Sequence, residues 1–147
     1  MANSVQKNPQ GPLWALGNIV VVTPGTQVSI MSLVDPSLIQ APEIPTTYGG
    51  LVQEYTVRAQ QISFQAFKAG GAPPKLTPNT GNIYIIAKPL AGAGGVADVG
   101  TVLWVLTPGQ TWNLGSSARN NNVYSPYEIF VDADTAADAV QVTLNIA

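Results

Sequence analysis

The chain is expected to fold as one all-β domain, an antiparallel β-sandwich or jelly roll with an extended N-terminal arm. Three observations carry this. Short runs rich in Val, Ile, Thr and aromatic residues recur along the 147-residue chain. Turn signals built on Pro, Gly, Asn and Asp separate them about every 8–12 residues, which is the spacing of sandwich strands. Almost no stretch shows the 3.6-residue apolar period of a helix. At 15.4 kDa the length suits one domain that buries its own core.

The elements follow in order. Residues 1–17 hold Pro9, Gly11 and Pro12 and show neither period, so they read as the arm, with residues 18–147 as the sandwich domain. Leu13, Trp14 and Leu16 are the arm's apolar anchors. Ile19–Thr23 and Thr26–Leu33 flank Pro24-Gly25 and predict a hairpin. Asp35-Pro36 can open one helical turn, and residues 41–50 form a proline-punctuated loop. A long strand follows over 51–67. Val57 and Ala59 share one phase while Ile62, Phe64 and Ala66 share the other, so a β-bulge is expected near Gln60-Gln61. Further strands are predicted at 82–88, 101–107, 110–114, 127–131 and 139–146. Two apolar-Thr-Pro-Gly turns, Val22–Gly25 and Leu106–Gly109, read as recurring hairpin chemistry rather than duplication.

Composition narrows the function. The chain has no histidine and no cysteine, six cations and eight carboxylates, and a formal charge of -2. Histidine and cysteine supply most near-neutral titrating groups, thiolates and transition-metal ligands. Without them the expectation is a non-enzyme with no cofactor and no metal site. The six cations are scattered singly, so nucleic acid is not an expected partner. Residues 1–18 lack the apolar core of a secretory signal. The longest apolar stretch, 19–34, is broken at Pro24-Gly25, so no membrane span is expected.

Each chemical constellation has a plainer explanation. Asp132, Asp134 and Asp138 lie close in sequence, but they lack the glycine and closing glutamate of a calcium loop and read as the backbone caps of a solvated β-turn. Glu54 and Glu128 are the only pair weighed for glycoside hydrolysis, and nothing in the sequence brings them together. Ser4-x-x-Lys7 matches a catalytic spacing by chance, in the arm. The glycines at 70–71 and 92–95 lack the lysine of a phosphate loop. Among the aromatics, Trp104 is expected in the core, and Trp112 with Tyr124 is the candidate exposed pair for stacking on a sugar.

The second half carries a resemblance. Residues 81–87 (GNIYIIA), 100–103 (GTVL), 106–114 (LTPGQTWNL), 127–131 (YEIFV) and the strand from Ala139 are similar to small β-sandwich structural proteins of tailed bacteriophage virions. In these proteins a Leu-x-Pro-Gly turn precedes a core-facing strand. The resemblance covers roughly residues 81–147. It implies a capsid decoration (cement) or minor capsid protein that binds the major capsid protein and forms a homo-oligomer. Such a protein would be soluble in the host cytoplasm before assembly and would end on the capsid surface of the virion. The expected partner-binding residues are Leu13, Trp14 and Leu16 in the arm and Ile44 and Tyr48 in the proline-rich loop. The alternative is a carbohydrate- or receptor-binding module of a phage tail or spike.

Overall fold

The computed structural model describes residues 13–34, 58–71, 75–88, 99–115 and 124–146. Among these residues, eight strands form two four-stranded antiparallel sheets: β1 Leu13–Val20, β2 Val28–Ser29, β3 Ala59–Lys68, β4 Ile83–Ala87, β5 Thr101–Leu106, β6 Thr111–Gly115, β7 Ile129–Ala133 and β8 Asp138–Ile146. One sheet runs in the order β1-β8-β3-β6, and the other runs β2-β7-β4-β5. The chain is an all-β sandwich.

The pairing has a simple logic. β1 pairs with β8, β2 with β7, β3 with β6 and β4 with β5, each antiparallel. These are the rungs of one long hairpin folded at the β4–β5 connection. Rolling it up adds the β3·β8 and β4·β7 pairings and makes two stacked sheets. This is jelly-roll winding.

The winding corrects the first hairpin. The strand containing Ile19 pairs with β8 and the one containing Val28 with β7, so Pro24-Gly25 carries the chain between sheets rather than back along one. Leu106–Gly109 does the same from β5 to β6. The repeated turn thus closes the two long sides of the sandwich. Turn chemistry sets a reversal but not the sheet that receives the next strand. β2 is only two residues long, and Met31–Val34 are turns. The strand expected at 127–131 begins later, because Pro126–Glu128 form a 3-10 turn before β7. The expected turn at Asp35 and residues 51–57 of the long strand lie outside the described residues.

The arm boundary also moves. Leu13–Gly17 belong to β1, whose register slips between Ala15 and Gly17. Leu16 is the extra residue, and Gly17 takes φ +96° beside it. The bulge shifts the side-chain phase by one, so Leu16 and Ile19 both reach the core. The slip expected in β3 is present between Ala59 and Gln61. It lets Ala59 and Ile62 both bury completely.

The core lies between the sheets. Ile62 and Phe64 of β3, Ile83 and Ile85 of β4, Val131 of β7, and Val140, Val142 and Leu144 of β8 meet there. Leu144 faces Ile62 and Val142 faces Phe64 in register. Each buried aliphatic or aromatic side chain stabilises the fold by about 1.5–3 kcal/mol through removal from water.

Candidate interaction surfaces

Three regions of the surface differ in chemistry: the capped end of the sandwich, the outer face of the β1-β8-β3-β6 sheet, and the β5/β6 side.

At the capped end, the aspartates hold turns. Asp138 is fully buried, and its two carboxylate oxygens accept the backbone N–H of Thr80 and of Gly81, each at 2.8 Å. Asp132 accepts the N–H of Gly25 at 2.9 Å and so fastens the β1–β2 turn to β7. The Tyr84 hydroxyl donates to Asp134 at 2.9 Å. That bond, followed by burial and the nearby Asp134 charge, raises the Tyr84 pKa above its ordinary value. Asn79 adds a further clamp, accepting from Gly109 N–H and donating to the Gly81 carbonyl. The turn-cap reading holds for Asp132 and Asp138, which accept backbone N–H groups, whereas Asp134 accepts a side-chain hydroxyl, and Asp138 is buried rather than solvated. Among the described residues no three such carboxylates converge on a point where a metal would sit.

The outer face of the first sheet is a different surface. Register places Leu13, Asn145 and Gln61 in one row, Ala15, Thr143, Ser63 and Asn113 in the next, and Asn18, Gln141, Gln65 and Thr111 in a third. Directly opposed residues share a face, and all of these are half-buried or exposed. The three rows hold amides, hydroxyls and two small apolar contributions, and no charge. Lys68 opposite Asp138 marks the far end of the sheet.

The β5/β6 side is aromatic. Phe64 stacks on Trp112 at 5.8 Å, and Trp112 stacks on Trp104 at 5.6 Å with the planes 1° apart. The ladder crosses from one sheet to the other and closes the side. Trp104 was expected in the core, yet it is 42% exposed. An apolar run reads as buried, but β5 is an edge strand, and its outward flank has no neighbour among the described strands. Val102 and Val105 are also exposed. A bulge between Ile85 and Ile86 leaves Leu103 as the extra residue. Leu103 packs inward, while Val102 and Val105, which flank Leu103 and Trp104, face out. The lead-in to β5 is close-fitting. Gly100 takes φ +84°, and a Cβ there would strike Ile86 and the Ala87 carbonyl.

Below the tryptophans a cleft of about 420 Å³ opens between the sheets, floored by Leu103, Leu114 and Ile129. Lys88, Glu128, Tyr124 and Ser125 stand around it. Lys88 also lies 5.2 Å above the Phe130 ring. The Ser125 hydroxyl is buried without a hydrogen-bond partner. Tyr124 is tied to Ala59 by two backbone hydrogen bonds, 2.8 and 2.9 Å, so it belongs to this wall and not to an exposed pair with Trp112.

The expected partner-binding residues separate in space. Leu16 is buried in the core, and Trp14 packs half-buried against it, because both lie on the inward face of β1. Neither extends from the domain as an anchor. Leu13 is 50% exposed at the sheet edge and remains available for contact. Ile44 and Tyr48 lie outside the described residues, as do Glu54, Ser4 and Lys7. Glu128 stands at the cleft. Sequence reasoning missed Val102 and Val105, and the signal was present: residues 99–118 contain no charge, although two edge strands lie within them.

No helix among the described residues is long and apolar enough to cross a membrane. Comparison with protein-family models finds no match, and comparison with curated proteins finds no similar sequence.

Proposed function

We propose that this chain is a non-catalytic structural protein of a bacteriophage virion that binds and stabilises the capsid as a decoration, cement or minor capsid component. The observation that carries the reading is the charge-free outer face of the β1-β8-β3-β6 sheet. A sheet face of amides and hydroxyls makes many short, uncharged hydrogen bonds to a protein lattice without desolvating ions, and interfaces of this kind hold bridging water. Jelly-roll winding adds support by fold analogy, since capsid domains use it. The partner in this reading is the major capsid protein. The protein is free in the host cytoplasm until the shell offers its sites, and it then sits on the capsid surface in many copies. Binding to the assembled shell alone raises the cost of losing a subunit by mass action.

The test places charge on this face. Gln65→Glu with Gln141→Glu sets two carboxylates side by side across β3 and β8. The reading predicts that the wild-type protein co-sediments with expanded shells and that the double variant, still folded by circular dichroism, does not. Equal binding by both would overturn the reading. Arm truncation is informative only up to residue 12, because removing residues 13–17 cuts into β1.

A second reading, a carbohydrate- or receptor-binding module of a tail or spike, draws on the parallel-stacked Trp104–Trp112 pair beside the cleft. It predicts glycan-array binding that Trp104→Ala abolishes.

A further inference from the structure

The geometry points to β5 as a self-pairing edge: a second copy of this chain docks its own β5 antiparallel against it and joins two four-stranded sheets into one. The inference deepens the proposed function by assigning the homo-oligomer a surface. It rests on that reading only for its biological setting.

An edge strand presents a row of backbone N–H and C=O groups, and proteins ordinarily protect it by shortening it, charging it or bending it. On the opposite side β2 has two residues, and β1, bent by the Leu16 bulge, exposes one large apolar side chain, Leu13, at its first position. β5 is six residues long and ends the β2-β7-β4-β5 sheet. It carries no lysine, glutamate or proline. Its exposed apolar side chains are Val102, Trp104 and Val105, at 51%, 42% and 37%. Among the described residues, the Leu103 bulge is the one protective device on this strand.

The occupant follows from charge and length. The stretch 99–118 is uncharged, so a partner strand gains nothing from charge and loses the hydration of any charge it brings. The chain turns away after Leu106 through Thr107–Gln110, which limits the edge to a short strand. A second β5 is uncharged and of the same length. Pairing about a two-fold axis is self-complementary, and an axis normal to the sheet keeps Val102 and Val105 of both copies on one surface. A net charge of -2 leaves little repulsion between copies.

Sedimentation of the purified full-length protein, without shells, tests this. The expected result is a dimer at micromolar concentration whose apparent mass halves in Val102→Lys and Val105→Lys. Val22→Lys, at an exposed position on the opposite side, should remain dimeric. A wild-type monomer, or a dimer indifferent to both β5 lysines, would overturn the inference. Should the lysine variants fail to fold, the absence of cysteine gives a second route. Val102→Cys should cross-link between copies with a short bismaleimide and Val22→Cys should not; equal yields would overturn it. A monomer that still coats shells sinks the pairing and leaves the proposed function intact. A dimer that ignores shells does the reverse.

Discussion

The two long sides of the sandwich are closed by the same Thr-Pro-Gly turn and finished in opposite ways. On the β1/β2 side, Ile19, Val21 and Ile30 are at most 1% exposed. The turn there is fastened by Asp132, and Val21 exchanges backbone hydrogen bonds with residues 137 and 138. On the β5/β6 side, closure falls to a stack of three aromatic rings whose outer member is open to solvent. At the first side, burial and hydrogen bonding go to folding, and the exposed Leu13, Val22 and Leu33 lie at the start of β1 or outside the strands. At the second, β5 itself leaves Val102, Trp104 and Val105 exposed. A local sequence motif therefore fixes how the chain turns, while the neighbours it meets decide whether the result is structural or available for contact.

This contrast can be broken by mutation, starting at the side built for folding. Ile19→Ala should lower unfolding stability by about 2–5 kcal/mol, because it leaves a cavity in a closed core. Urea denaturation reads it, and a loss below 1 kcal/mol would mean that this side is not the tightly packed one. Asp138→Ala orphans the N–H groups of Thr80 and Gly81, at about 1–3 kcal/mol for each donor left without an acceptor. The expected readout is a lower denaturation midpoint with faster hydrogen exchange at those two amides.

The contact side should respond differently. Trp104→Ala is expected to lower stability by about 1 kcal/mol, near the worth of an aromatic pair beyond its buried area. Its larger effect should fall on self-association. A loss as large as that of Ile19→Ala would place Trp104 with the core and erase the contrast.

Two smaller effects belong to the capped end. Ala137 takes φ +70°, a conformation that costs a side-chain-bearing residue roughly 1–2 kcal/mol. Ala137→Gly should therefore raise stability slightly, offset by the greater freedom of glycine in the unfolded chain. Tyr84 gives a pH signature. Its folded pKa is raised, so its bond to Asp134 is fully present below the ordinary tyrosine pKa and is lost as pH rises through the raised value. Ultraviolet titration should show one tyrosine ionising late, and Asp134→Asn should return it towards its ordinary range.

The elements were legible in the sequence where the physics was local. Alternating Ile62, Phe64 and Ala66 announced β3, and the phase slip at Gln60-Gln61 announced its bulge. The matching bulge in β1 was hidden, because Gly17 at the slip made Trp14 and Leu16 look like an arm rather than a strand. The Pro-Gly turns were legible as reversals and not as changes of sheet, since that choice depends on distant strands: β7 and β8, more than 100 residues away, for Pro24-Gly25, and β4 and β3 for Pro108-Gly109. Asp138 looked solvated because its partners, Thr80 and Gly81, are 58 and 57 positions distant. Trp104 looked buried because strand hydrophobicity does not say whether a strand is central or at an edge. The uncharged face of the first sheet was present in the composition, but only the register gathers Ser63, Gln65, Gln141 and Thr143 onto one surface.

Hydrogen–deuterium exchange at two protein concentrations tests the division between the sides most directly. The account predicts that amides of Thr101–Val105 exchange more slowly as concentration rises, while those of Leu13–Val20 on the opposite edge do not change. Equal behaviour of the two edges would contradict it.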